Sequence, residues 1–223
     1  IVRYFLLFFI SNLIYSESIE SGKTVIANES MVVTRHYLAS KVGNEVLLAG
    51  GNAIDASVAI SFALSVVLPQ ASPIGGGGFM VIHEAETGEN FTIDYREMAP
   101  EKATEDMFIV NGEVDRSLAL ESYLSSGVPG TVYGLYLAHQ KFGKLPWKEL
   151  IKPAIKLAID GFVITPTLAN SINTYKDKLS KTDDGKDIFF RNGEPLMAGD
   201  LLVQKDLGET LTLISKKGPA GFY

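Results

Sequence analysis

The stretch NAIDASVAISFALSVVLPQASPIGGGGFMVI (52–82) decides the fold class, because it joins an apolar helix to a strand through a glycine run. Asn52 is a good helix N-cap, and Asp55 falls in the first turn, where the helix dipole favours a negative charge. Pro69 ends the apolar segment. A membrane span needs roughly 20 apolar residues, and this segment is shorter and contains an aspartate. We therefore predict a helix that is buried on most sides, with one thin polar stripe formed by Ser57, Ser61 and Ser65.

The four glycines at 75–78 are the most unusual string in the chain. Glycine permits positive φ and lets the backbone approach a ligand or another strand closely. A phosphate-binding loop would continue with Gly-Lys-Ser/Thr, and a dinucleotide site would show G-x-G-x-x-G; neither pattern is present. A serine esterase that uses glycines for its oxyanion hole would also carry G-x-S-x-G, which the chain lacks. We expect a packing element where the buried helix turns into a strand.

A β-hairpin is predicted directly after the glycines. Residues 79–84 and 91–95 have strand composition, and the intervening ETGE (86–89) supplies a glycine for the turn. Side chains alternate between the two faces of a strand. One face of the second strand should therefore carry Thr92, Asp94 and Arg96, and the other Phe91, Ile93 and Tyr95.

The rest of the chain has mainly helical patterns. Apolar spacing predicts helices within 38–47, 132–142, 146–161, 165–179 and 205–218, whereas the charged segment 177–186 is interpreted as turn-like. The predicted fold class is therefore α/β (α+β), with a buried helix, a hairpin and several amphipathic helices.

Composition excludes several classes of function. The net charge of −6 argues against a nucleic-acid surface. The chain has no cysteine, which excludes a disulfide framework, a thiolate zinc site and a cysteine nucleophile. Its three histidines lie far apart in sequence without metal-ligand spacing, so we expect neither a metal site nor a cofactor.

The first residues have the layout of a secretory signal peptide. Arg3 gives a short basic start, Tyr4 to Ile14 is an apolar run, and Ser16 is a small residue suited to precede a cleavage point. An uncleaved anchor or a core segment are the alternatives. We predict a signal peptide at 1–16, a polar leader at 17–30 and an exported protein, periplasmic or secreted, without a membrane segment after cleavage. Residues 31–223 are interpreted as one partial domain of a longer precursor.

Arg96 is the candidate ligand-binding residue. It stands in DYREMAP (94–100), where the second strand ends, on the same face as Asp94. A guanidinium group presents a rigid fork that fits a carboxylate through two parallel hydrogen bonds. From this pattern alone, Arg96 is a clamp for an acidic substrate group or a structural partner of Asp94, Glu97 or Glu101.

Several motifs, taken together, resemble one enzyme family. The sequence LLAGGNAIDASVAISFALSVVLPQASPIGGGGFMVI, followed by DYREMAPEKATEDMF, is similar to the γ-glutamyltranspeptidase (glutathione hydrolase) family. SGVPGTVYG, KPAIKLAIDGF, GEPLMAGDLLVQKDL and GPAGFY continue the similarity in the same order, from about Met31 to Tyr223. The chain corresponds to the N-terminal part of the family's large subunit.

The resemblance implies a fold, a reaction and a site residue. Family members are N-terminal nucleophile hydrolases with a four-layer αββα sandwich, which would be incomplete in this chain. Their precursor cuts itself into a large and a small subunit, and the new N-terminal threonine attacks the γ-glutamyl carbonyl of glutathione or a similar substrate. Water or an amino-acid or peptide acceptor then receives the glutamyl group. Arg96 matches the family's arginine that pairs with the α-carboxylate of the glutamyl group.

The chain departs from the family pattern in one respect. No threonine among the 223 residues is followed by histidine, as at the start of the family's small subunit. The nucleophilic threonine is therefore expected beyond residue 223, no catalytic residue is assigned here, and the chain alone should be inactive. A β-lactam acylase, a poly-γ-glutamate-processing enzyme and a non-catalytic exported binding protein on the same scaffold are the alternatives.

Overall fold

Helix α2 (Ala53–Val67) is the most deeply buried helix among residues 25–223. In the computed structural model, which describes residues 25–223, Val58, Phe62 and Val66 have no solvent exposure. Helix α2 packs against α1 (Tyr37–Leu48) and α5 (Trp147–Asp160), and the Phe62 ring meets Trp147 edge-on at 5.6 Å between centroids. Each fully buried apolar side chain contributes about 1.5–3 kcal/mol of transfer free energy. The prediction of a buried helix after Asn52 is confirmed.

Every helix and strand among the described residues lies within one compact unit, Val32–Tyr223. After α1 and α2 come β1 (Phe79–Glu84), β2 (Glu89–Asp94), β3 (Ile109–Val110), β4 (Glu113–Val114), α3 (Arg116–Glu121) and α4 (Thr131–Phe142). After α5 come β5 (Phe162–Val163), α6 (Pro166–Thr174), α7 (Lys176–Leu179), α8 (Asp183–Phe189), β6 (Phe190–Arg191), β7 (Glu194–Pro195), β8 (Leu201–Leu202) and α9 (Lys205–Lys217). Short 3₁₀ turns cover Tyr123–Ser125 and Gly218–Gly221.

Residues 1–24 are not described, so the predicted signal peptide and the first part of the predicted polar leader lie outside the described residues. The remainder of that leader, from residue 25 onward, contains neither helix nor strand. Within residues 25–223, no helix has both the length and the apolar character that crossing a membrane requires.

The strands of the described chain form two-stranded antiparallel sheets, in the pairs β1–β2, β3–β4, β5–β8 and β6–β7. Together with the helices they make a mixed fold of the α+β kind. The prediction of a mixed helix and sheet chain is confirmed at this level.

The β1–β2 hairpin has the predicted faces. Phe79 pairs with Asp94, and Val81 with Thr92, on a face that is exposed on both strands. Ile82 pairs with Phe91 on the opposite, inner face. There the Phe91 ring lies 5.0 Å from that of Phe142 in α4. Gly88 makes the turn at φ 72°, in the left-handed region that glycine adopts without steric cost.

Two short hairpins were not predicted, although the sequence carries their signal. Asn111 and Gly112 join β3 to β4, and Asn192 and Gly193 join β6 to β7, with φ of 54° and 83° in each pair. Asn-Gly with both φ values positive is the preferred two-residue hairpin turn. The interpretation of 177–186 as turn-like was also wrong, because α7 and α8 begin or end within it.

Asp55 connects two parts of the chain that are far apart in sequence. Its carboxylate is fully buried and accepts a hydrogen bond from the Asn52 backbone N–H, which completes the cap of α2. It also accepts the backbone N–H groups of Lys144, at 3.0 and 3.1 Å, and Leu145, at 3.3 Å. Asn52 Nδ2 donates to the Phe142 carbonyl at 2.6 Å. The start of α2 is thereby joined to the end of α4.

His36 caps helix α1 with its imidazole ring. Nδ1 accepts the Leu38 backbone N–H at 3.3 Å, so this nitrogen must be unprotonated. The ring is buried, stacked on Tyr37 and edge-on to Phe162. Burial lowers the pKa of His36 from its ordinary value of 6.5, because the charged imidazolium is poorly solvated there.

We expect Asp55→Ala to lower the free energy of unfolding by about 2–4 kcal/mol, because it leaves three backbone donors without their acceptor in a dry site. Urea unfolding measures this. Asp206→Ala is the matched control, since Asp206 is also acidic in a first helical turn but is exposed, and it should cost less than about 1 kcal/mol. Equal losses in the two variants would contradict the role given to Asp55.

A second prediction concerns pH. The folded-state pKa of His36 is lowered, so as the pH falls below about 6.5 the unfolded state binds the proton first, and stability present at higher pH is lost. The free energy of unfolding should therefore fall more between about pH 7.5 and 5.5 in the wild type than in His36→Asn, which keeps a capping oxygen without titrating. Identical pH profiles of the two proteins would refute this.

Candidate active-site wall

Arg96 begins the segment that leaves strand β2. Its backbone N–H donates to Asp94 Oδ1 at 3.0 Å, so Asp94 shapes the strand end and does not pair with the guanidinium group. The Arg96 side chain is 64% exposed, and its guanidinium carbon lies over the Phe79 ring on the exposed face of the hairpin, as predicted. Of the structural partners considered for it, Glu97 is the one present: Arg96 Nε donates to Glu97 Oε2 at 3.2 Å.

The contacts of the guanidinium group leave its far end available. The ion pair with Glu97 uses Nε, and the guanidinium carbon lies 5.8 Å from the centre of the Phe79 ring, a cation–π distance. The two terminal Nη groups donate to no other group within residues 25–223. An exposed ion pair of this kind is worth at most about 1 kcal/mol, so it holds the arginine only loosely.

Arg96 lines two neighbouring cavities. One, of about 320 Å³, is formed with Pro129, Tyr133, Leu137 and Tyr223, whose hydroxyl donates to the Pro129 carbonyl at 2.7 Å. The other, of about 440 Å³, is formed with apolar side chains from the excursion between β2 and α4, among them Met107, Phe108 and Leu124. Arg96 therefore contributes to the rims of two open, partly apolar cavities.

The glycine run acts through close backbone approach, and not through positive φ. None of Gly75 to Gly78 has positive φ. Gly78 exchanges two hydrogen bonds with Tyr95, at 2.9 and 3.2 Å, and so extends the β1–β2 ladder to the residue before Arg96. The Gly76 carbonyl accepts the N–H groups of Gly130 and Thr131, at 2.9 and 3.0 Å, which ties the start of α4 to the same place.

Sequence reasoning missed the residues that surround the Tyr95–Arg96 peptide. Gly130 and Gly134 face Tyr95 so closely that a Cβ on either would collide with it. Both glycines lie in the GVPGTVYG segment (127–134), for which the sequence predicts only the start of a helix. Burial raises the pKa of the Tyr95 phenol above its ordinary 10.0, so the ring is a neutral packing group at physiological pH.

A model of the family described as "Gamma-glutamyltranspeptidase" matches residues 39–223. The chain belongs to the γ-glutamyltranspeptidase family. The resemblance predicted from its motifs is thereby confirmed. Since the match takes in the hairpin, the glycine run and Arg96, the site described above lies entirely within the family region.

Curated relatives and a solved structure agree with this membership. The chain is 50% identical over 200 residues to the glutathione hydrolase proenzyme of Bacillus subtilis (strain 168), and 46% identical over 201 residues to that of Escherichia coli (strain K12). Each match covers 89% of this chain and 34% of the relative. The structure of Helicobacter pylori gamma-glutamyltranspeptidase superposes with a TM-score of 0.86 at 45% identity, covering 90% of this chain and 58% of that one. The chain therefore spans about a third of the length of these curated relatives.

Proposed function

We propose that these residues form the large-subunit part of an exported γ-glutamyltranspeptidase that cleaves the γ-glutamyl bond of glutathione or a similar substrate. The glutamyl group passes to water or to an amino-acid or peptide acceptor. Support comes from the relatives, which are named glutathione hydrolase proenzymes and are about three times longer than the matched region. A proenzyme name agrees with a precursor that is cut into a large and a small subunit.

The nucleophile in this proposal is a threonine beyond residue 223, freed at the start of the small subunit. A hydroxyl group is a weak nucleophile unless a base lies beside it, and the freed α-amine of the same residue can be that base. Attack on the γ-carbonyl gives an acyl-enzyme, and donors of the small subunit stabilise the oxyanion that forms on the way. The described chain supplies one wall of this site.

The second sheet of the αββα sandwich belongs to the same proposal. Phe79 and Val81 point outward from the β1–β2 hairpin and are 63% and 78% exposed. Apolar side chains on the outer face of a sheet lose contact with water when another layer packs on it. We assign that layer to the remaining part of the precursor, including the small subunit.

The observation that carries the proposal is the free end of the Arg96 guanidinium group. Nε is engaged by Glu97, while the Nη groups donate to no group within residues 25–223, and Arg96 is one of the residues that line two cavities. The edge formed by the Nη groups fits a carboxylate through two parallel hydrogen bonds. In a γ-glutamyl substrate the α-carboxylate lies away from the scissile amide, so a clamp there orients the substrate without obstructing the nucleophile.

We expect Arg96→Ala, in the complete protein, to raise KM for glutathione about 10- to 150-fold, because charge-assisted hydrogen bonds worth about 1.5–3 kcal/mol are lost. Arg96→Lys keeps the charge but not the fork and should lie between Arg96→Ala and wild type. Self-cleavage should survive, since Arg96 is proposed to act on the substrate. Steady-state kinetics and gel analysis of the precursor measure both effects.

Arg116→Ala is the matched control, because Arg116 is an exposed arginine that lines neither cavity. Its KM should stay within about twofold of wild type. A KM for Arg96→Ala as small as that of the control would remove the clamp assignment. A complete protein that cleaves β-lactam side chains in preference to γ-glutamyl amides would favour the acylase alternative.

A further inference from the structure

The residue before Arg96 is held more firmly than Arg96 itself. Tyr95 donates its backbone N–H to the Gly78 carbonyl at 2.9 Å and accepts the Gly78 N–H at 3.2 Å. Its ring points to the inner side of the hairpin, opposite to the arginine, as strand alternation requires. The peptide unit that precedes Arg96 is therefore held in place on one side by the hydrogen bonds of the ladder.

The Tyr95 ring packs directly against two glycine residues. A Cβ added at Gly134, in helix α4, would lie 2.7 Å from Tyr95 Cδ1 and nearer still to its Cβ and Cγ. A Cβ added at Gly78 would lie 3.0 Å from Cε2 and 3.1 Å from the phenolic oxygen. Because real Cβ atoms essentially never come closer than about 3 Å to such atoms, any side chain at Gly134 forces the ring to move.

The Tyr95–Arg96 peptide itself passes between two further glycines. A Cβ at Gly77 would lie 2.5 Å from the Tyr95 carbonyl oxygen, 2.9 Å from the Arg96 carbonyl carbon and 2.7 Å from the Glu97 nitrogen. A Cβ at Gly130 would overlap the Tyr95 carbonyl oxygen. The backbone that carries the Arg96 side chain is thus enclosed on both sides by these two glycines.

We propose that Tyr95, packed against Gly134, is a positioning residue for Arg96. This inference rests on the carboxylate clamp given to Arg96 under the proposed function. The exposed ion pair with Glu97 holds the guanidinium group only weakly. The position of this group therefore depends on the position of the Arg96 backbone. A shift of about 1 Å in a group that orients a substrate is enough to weaken binding strongly. The glycines at 77, 78, 130 and 134 allow the enclosure, and the Tyr95 ring fills it.

The test is Gly134→Ala in the complete protein, assayed with glutathione. Alanine is a better helix former than glycine, so α4 gains in propensity and the collision falls on the Tyr95 ring. KM should rise about tenfold or more, while kcat stays within about twofold, since the loss concerns uniform binding of the substrate. Tyr95→Phe keeps the ring and should retain the wild-type KM. Tyr95→Leu adds no atoms, removes the ring, and should raise KM even if Gly134→Ala fails to fold.

Gly208→Ala is the matched control. Gly208 is likewise a buried helical glycine, and a Cβ there would lie 2.6 Å from Ile159 Cγ1 where α9 packs on α5, away from Arg96. Its KM should equal that of wild type. If Gly208→Ala and Gly134→Ala raise KM equally, the effect is general destabilisation and the positioning role is refuted.

The Arg96→Ala background separates this inference from the proposed function. If Tyr95 acts through Arg96, adding Gly134→Ala to the Arg96→Ala variant should not raise KM further. If the two effects are independent, the fold-increases in KM of the two single variants should multiply in the double variant. A raised KM in Arg96→Ala with a normal KM in folded Gly134→Ala and in Tyr95→Leu overturns the positioning role alone. An unchanged KM in Arg96→Ala overturns the clamp and this inference together.

Discussion

The structure depends on three backbone segments that pass one another at the end of the β1–β2 hairpin with no side chain between them. They are 76–78, 95–97 and the loop that reaches Gly130. The Gly76 carbonyl accepts both N–H groups at the start of α4, and Gly78 continues the ladder to Tyr95. A Cβ at Gly77 or at Gly130 would overlap the backbone around the Tyr95–Arg96 peptide, so these two positions require glycine by volume. This enclosure sets the position of the backbone from which the Arg96 side chain extends.

Helix α4 connects this site to the core because it is held at both ends. Its first residues bond to Gly76, and the chain after its last residue bonds to the buried carboxylate of Asp55. A carboxylate without solvent is tolerable only when its oxygens accept several hydrogen bonds, and here backbone donors from two segments supply them. The segment 52–82 therefore sets the position of α4 twice, once through its capping aspartate and once through its glycine run.

Local features were largely predictable, and contacts between distant residues were not. The Asn52 cap, the two faces of the hairpin and the place of Arg96 at a strand end follow from rules that span only a few residues. The Asn-Gly turns at 111–112 and 192–193 carry the same kind of local signal. The bond from Asp55 to Lys144 spans 89 residues, and no periodicity in the sequence indicates it. Likewise, nothing local in GVPGTVYG reveals that Gly134 faces a tyrosine nearly 40 positions earlier.

The sequence by itself determined the buried helix and the hairpin with an arginine on its open face. It also determined the family, because the order of the motifs can be read without coordinates. Only the tertiary structure decided what the glycines are for and which edge of the guanidinium group is free. The physical reason is that a missing Cβ has a consequence only when a particular neighbour occupies the space. That neighbour is brought there by the packing of α4 against the hairpin, and not by any residue adjacent in the chain.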